Sequence, residues 1–180
     1  MTRSKTIFAV LAAAPLLLIA VVLRSRFLPD TFVGVVAIEA RFVEAAVAPQ
    51  SPGYGGGLFI ETEFKRISST AVLSNVIERA GLSEAWGKRQ ADGKPLAFSN
   101  TVARLRRALD FRTIPNTSII ELRAYSDKPD EAAMIANSVA ESYREFRLAK
   151  RAIDASAPFI DVRIIDAASP NPRRVRWPGR

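Results

Sequence analysis

The stretch from Asn116 to Tyr143 constrains this chain more than any other. Thr117 to Tyr125 (Thr-Ser-Ile-Ile-Glu-Leu-Arg-Ala-Tyr) reads as a strand rich in branched and aromatic side chains. Ser126-Asp127-Lys128-Pro129 follows at once, and Asp130 to Tyr143 continues as an alanine-rich helix. Ser126 or Asp127 is placed to cap that helix. Pro129 falls in its first turn, where a missing N–H costs nothing. Asp130 and Glu131 sit at the positive end of the helix dipole, and Arg147, Lys150 and Arg151 at the negative end. The apolar stripe runs Ile135, Val139, Tyr143 and Phe146.

Other segments alternate between the same two types. Thr31 to Arg41 is expected to be a strand, and Ala45 to Gly57, with Pro49, Pro52 and four glycines, a loop. Leu58 to Ala80 has helical spacing with a break at Ser68-Ser69-Thr70, and Gly81 is a candidate C-cap. Ser83 caps a short segment through Trp86, Ala91-Asp92-Gly93 makes a turn, and Ser99 or Asn100 caps a helix with Val102, Leu105 and Leu109 inward. Phe111 to Ile114 and Phe159 to Ile165 complete the strands. The expected class is α+β: a small two-layer sandwich of about four strands with helices on one face, following an N-terminal transmembrane helix.

That anchor is the apolar run Ile7 to Leu23, bracketed by Arg3 and Lys5 on one side and Arg24 and Arg26 on the other. At 1.5 Å per residue it reaches about 25 Å, near the roughly 30 Å of a bilayer core. Bulky Val21-Val22-Leu23 stand where a cleaved signal would need small residues. The expected organisation is therefore 1–27 as cytoplasmic N-terminus and anchor, 28–166 as the folded domain, and 167–180 as a Pro- and Arg-rich tail.

The formal charge of +8 does not mark a nucleic-acid binder. Arg3, Lys5, Arg24, Arg26, Arg173, Arg174, Arg176 and Arg180 flank the anchor or lie in the tail. Taking those eight from 26 basic residues leaves 18, equal to the 18 acidic ones, so the domain itself is neutral. A nucleic-acid surface needs a basic patch on the fold; the surplus here suits anionic lipid headgroups. With neither cysteine nor histidine, the chain has no disulfide, no zinc site built on those ligands and no triad using them. Gly53, Gly55, Gly56 and Gly57 are followed by Leu58-Phe59 and not by the Lys-Ser or Lys-Thr of a phosphate loop. No catalytic, cofactor or metal residues are expected, and the chain reads as a non-enzyme. Arg104, Arg106, Arg107 and Arg112 cluster near one helix end and read first as a solvated face.

Taken in order, several segments resemble the polysaccharide chain-length determinants, the Wzz-type co-polymerases. They are Ile67 to Leu82 followed by Trp86, Asn116 to Ile120, Asp127-Lys-Pro-Asp-Glu-Ala-Ala133, Ile135-Ala-Asn137, and Val162 to Pro172. The resemblance singles out Asn116, Asp127, Pro129, Asn137, Pro170 and Pro172 as interface or motif residues. It implies a single-pass protein of the bacterial inner membrane with a periplasmic domain. It also implies homo-oligomers that set polysaccharide length beside a polymerase, with polysaccharide and lipid as further partners and no nucleic acid. Only ten residues, Lys150 to Phe159, stand where the family has a long extended helix, and no second apolar run follows Pro172; a compact form is expected. The alternative is a scaffolding or binding subunit of another cell-envelope complex.

Overall fold

Strand β1, Phe32–Val43, sorts its residues strictly by face: Gly34, Val36, Ile38 and Ala40 are buried, while Val33, Val35, Ala37 and Glu39 between them are half-exposed. Such alternation is the signature of a sheet covered on one side only. The computed structural model describes residues 31–43, 57–153 and 159–176. The chain divides after Asp30, and the unit described below is Thr31–Arg180. Four helices follow β1: α1 (Gly57–Ile67), α2 (Thr70–Arg79), α3 (Leu82–Gly87) and α4 (Phe98–Arg107). The hairpin β2 (Leu109–Thr113) and β3 (Ile119–Ser126) comes next, then the 25-residue α5 (Pro129–Ile153) and β4 (Phe159–Asp166).

The sheet order is β2-β3-β1-β4, antiparallel at every joint. Strands β1 and β2 are thus parallel with β3 between them, and β3 and β4 are parallel with β1 between them. These are two interlocked split β-α-β units, the topology of ferredoxin-like sandwiches. The helix layer meets the buried face in one core that includes Val36, Ile38, Leu73, Val76, Leu122, Ile135, Val139 and Tyr143. Phe64 of α1 stacks on Phe111 of β2, ring centroids 5.5 Å apart, and so covers the far strand.

One glycine decides how closely the layers meet. A Cβ on Gly34 would lie 2.4 Å from the Ala132 carbonyl oxygen, so α5 sits on β1 at backbone contact. Fully or nearly buried alanines at 132, 133, 136 and 140 give α5 the narrow face this requires. Gly81, at φ 58°, takes the left-handed turn that ends α2 and opens α3.

Two expectations are corrected. The fold class included a transmembrane helix and the localisation a single-pass membrane protein. Among the described residues, however, no helix is long and apolar enough to cross a membrane. Helix α5 has the length, but Glu131, Glu141, Arg144, Glu145, Arg147, Lys150 and Arg151 are spread along it. Inner-membrane placement is accordingly set aside; the run Ile7 to Leu23 lies outside the described residues, as do Gly53 to Gly56. The α4 cap is corrected as well. Ala97, with extended ψ of 139°, is the N-cap, and Ser99 and Asn100 lie inside the first turn with no side-chain cap made.

Gly34→Ala tests the seating of α5. The added methyl meets backbone, which cannot rotate aside, so about 1–3 kcal/mol of stability should be lost. Chemical denaturation reads this directly, and an unchanged midpoint would mean the helix does not rest on β1 at this point.

Candidate functional site

Three side-chain constellations radiate from α5. The first joins it to α1. Glu63 is fully buried, and its Oε2 accepts from the Tyr143 hydroxyl and the Arg147 guanidinium, while Oε1 accepts from Arg66. Arg147 Nε also donates to the Tyr143 hydroxyl oxygen at 3.3 Å. Burial pushes the Tyr143 phenol well above its ordinary value, the Glu63 charge adds to this, and Arg147 opposes it. The hydroxyl therefore stays protonated and donates. A carboxylate with no exposed surface meets no substrate, so the cluster pins two helices together.

The second constellation lies at the start of α5. Glu131 accepts from Trp86 Nε1 at 2.8 Å, from Ser126 Oγ at 2.8 Å, and from Arg89, which also pairs with Asp127 at 2.8 Å. Arg104 lies over the Trp86 ring, 4.6 Å from its centroid. Burial works to raise the Glu131 pKa, but the hydrogen bonds from Arg89, Trp86 and Ser126 outweigh it and hold the carboxyl below its ordinary range. Here α3, α4 and the β3–α5 corner are tied together.

The third is open to solvent. Asn137 Nδ2 donates to the Ala168 carbonyl and its Oδ1 accepts from the Ala168 N–H, both at 2.9 Å. This two-point clamp holds the segment after β4 against α5. Farther along the same segment, the Val175 N–H donates to the Thr31 carbonyl at 2.8 Å, which returns the tail to the start of β1. Beside the clamp, an open groove of about 530 Å³ runs between α5 and β4, lined by Asn137, Glu141, Arg144, Val162, Arg163, Ile164 and Ala167. Arg144 pairs with Glu141 across its wall at 2.7 Å. A groove with one amide, one ion pair, a strand arginine and aliphatic strand residues can hold a segment of chain, but these lining residues offer no nucleophile paired with a base. Among the described residues, no group of three or more acidic side chains is placed to hold a metal.

Of the six residues singled out from sequence, the structure unites three: Asn137 clamps the segment that carries Pro170 and Pro172. Asp127 and Pro129 belong to the α5 corner, where Asp127 takes Arg89 and Pro129 is the first helical residue. Asn116 stands apart in the β2–β3 turn, at φ 61°, a left-handed conformation that asparagine tolerates. Arg106 donates to the Ser68 carbonyl, and Arg112 pairs with Asp110. Sequence reasoning missed Glu63 and placed Arg147 only at the negative end of its helix. Both carried a signal: Glu63 lies three residues past Ile60 and four before Ile67, and Arg147 four past Tyr143, so each occupies a stripe position with opposite sign.

No family model matches the chain, and no curated protein is significantly similar to it.

The clusters around α5 generate two predictions. Glu63→Ala leaves the Arg147 charge buried without its partner and should cost about 3–5 kcal/mol. Tyr143→Phe removes one donor from a carboxylate that keeps two others and should cost about 1–3 kcal/mol. Equal or reversed losses in denaturant titrations would show that the carboxylate is not the centre of the cluster. For Glu131, the folded-state pKa lies below the unfolded value of about 4.3. Its stabilisation is therefore complete above that value and is lost as pH falls through the depressed folded pKa. The stability advantage of the native chain over Glu131→Gln should shrink on acidification below about pH 5. An advantage independent of pH from 7 to 3 would contradict the assignment.

Proposed function

We propose that this chain regulates polysaccharide chain length by acting in several copies with a polysaccharide polymerase, without catalysing a reaction itself. The observation that carries the reading is the Asn137 clamp. The segments that resemble the chain-length determinants are scattered over the sequence. The strand–corner–helix block from Asn116 to Tyr143 and the segment from Val162 to Pro172 are nonetheless joined through Asn137 and Ala168 into one structural unit. Their meeting supports the reading.

A regulator of this kind must position itself against other proteins. The open groove beside the clamp and the sheet margin at β4, beyond which no described strand lies, offer surface for that. The buried Glu63 and the paired Glu131, by contrast, are committed to holding the helices.

The size distribution of surface or secreted polysaccharide, resolved on a gel, tests the proposal. Deleting the gene should abolish or shift the modal length, the wild-type copy should restore it, and an Asn137→Ala copy at equal protein level should restore it only partly. Unchanged length and amount after deletion would reject this reading in favour of a scaffolding subunit elsewhere.

A further inference from the structure

Each of the four strands carries the same tripeptide, an acid and an arginine separated by one apolar residue: Glu39-Ala-Arg41, Asp110-Phe-Arg112, Glu121-Leu-Arg123 and Asp161-Val-Arg163. The central residue of each faces the core, so both charges project from the open face. Within each strand they pair, at 2.7, 3.1, 2.7 and 3.0 Å respectively. The register adds a second level. Asp110 stands opposite Arg123 and Arg112 opposite Glu121 across β2–β3, while Glu39 stands opposite Arg163 and Arg41 opposite Asp161 across β1–β4. Acid-apolar-Arg is thus a code that matches itself when two strands run antiparallel, and the fold uses it at both outer joints of the sheet.

Strand β4 presents this code at a margin of the described sheet. It is the last strand in the sheet order, and no described strand lies beyond it. Its backbone polarity follows from one bond: the Ala40 N–H is donated to the Ser118 carbonyl on the β3 side. Ala40 and its β4 partner Val162 therefore form a non-hydrogen-bonded pair, which turns the N–H and C=O of Val162 outward, along with those of Ile160 and Ile164. Ile165 is 53% exposed next to them. Sheet margins that avoid pairing usually carry lysine, proline, a bulge or charges of one sign that repel a copy; the register shift of β4 falls after Ile164, beyond these outward-turned residues. This margin carries a charge pair that attracts a copy.

We propose that β4 is a docking edge for a second copy of this chain, joined antiparallel through β4 about a two-fold axis at Val162. In that register Val162 meets its own counterpart, and Ile160 meets Ile164 of the second copy. The outward groups of these residues form about six backbone hydrogen bonds. Asp161 faces Arg163 of the second copy and Arg163 faces its Asp161, both in the closer, non-hydrogen-bonded spacing. The joint repeats the acid-opposite-arginine order of β1–β4 and β2–β3, where those pairs occupy hydrogen-bonded positions instead. Strand addition of this type draws affinity from the main chain and specificity from alternate side chains. Electroneutrality sets the class of partner: a polyanion or polycation would meet a repelling charge for every attracting one, whereas a second copy meets only opposites. The proposal deepens the multi-copy part of the function above, yet its test needs no polysaccharide, so a monomeric result and an unchanged polysaccharide profile are separate failures.

Sedimentation velocity of the full-length chain should show a concentration-dependent dimer. Asp161→Arg makes both facing pairs cation on cation and Arg163→Asp makes both anion on anion; each variant alone should self-associate at least about tenfold more weakly, the loss of even one of the two matched pairs being worth about that factor. Mixed in equal amounts, the two variants should recover the dimer, because the cation gained at position 161 of one then faces the anion gained at position 163 of the other. Recovery on mixing cannot come from repaired folding, since the strain each substitution places on β1 persists. If either variant fails to fold by circular dichroism, Val162→Cys replaces it. The chain has no cysteine of its own. The proposed pair would stand at a Cα separation of about 5.5 Å, inside the roughly 4.4–6.8 Å that a disulfide spans. Oxidation should then yield a covalent dimer, and Arg112→Cys on the opposite margin should not. A wild-type chain that stays monomeric at every concentration, a mixture that does not recover, or a dimer cross-linked through residue 112 instead of 162 would each overturn the proposal.

Discussion

Backbone contact between α5 and β1 at Gly34 is the constraint on which the rest of the arrangement depends. Because the helix approaches a strand position without a side chain, it settles on a face made of alanines, and its larger residues are left to reach sideways. Tyr143 and Arg147 meet α1, Glu131 meets Trp86 and Arg89, and Asn137 meets the chain after β4. All three polar constellations therefore take their positions from a single steric fact. A helix held farther out by one methyl group would shift each of them together, since close-packed layers transmit displacement.

Burying Glu63 with Arg147 is expensive in principle, because two charges leave water. The cost is limited here by saturation: the carboxylate has donors on both oxygens, and Arg147 has two acceptors. The cation also lies 5.7 Å from the Tyr143 ring centroid. An apolar trio of similar volume would hold the helices about as well but would accept many rotations of α1 against α5. The two bonds that cross between the helices, from Tyr143 and Arg147 to Glu63, favour those rotations that keep both. Specificity of helix register is thus the physical return from this cluster, and it accounts for charged residues standing on stripes that otherwise read as core.

Much of the fold was legible because local signals agreed with one another. The strand–corner–helix block was readable since β-branched alternation, a proline that tolerates only the first turn and an alanine stripe all point to the same element borders. The break between α1 and α2 was readable from Ser68-Ser69-Thr70 for a similar reason. What failed was of two kinds. The α4 border moved because Ala97 adopts the cap conformation without any capping side chain, so no residue type announced it. The Asn137 clamp was half visible: the asparagine stood out, but its partner is the Ala168 backbone, which has no side-chain signature 31 residues away. The membrane placement failed because it rested on a segment outside the described residues, while the one helix of sufficient length within them is charged along its course.

The repeated acid-apolar-Arg tripeptide escaped notice for a reason that belongs to sheets in general. Counted along the chain, the tripeptide is unremarkable, since Glu145-Phe-Arg147 repeats it on a helix, and the domain is simply neutral. Only the register places Arg41 opposite Asp161 and Arg112 opposite Glu121, and register is a property of paired strands that no single segment encodes. Neutrality is consequently achieved at the scale of neighbouring side chains and not by averaging over the surface. Such an alternating lattice has almost no field at a distance, since opposite charges a few ångströms apart cancel well within a Debye length. It neither steers nor repels a partner in solution. Any discrimination it exerts comes at contact, where a surface of matching period and opposite order is accepted and every other one leaves charges desolvated without a counterpart. A strand of the same sequence, run antiparallel, meets that condition by construction.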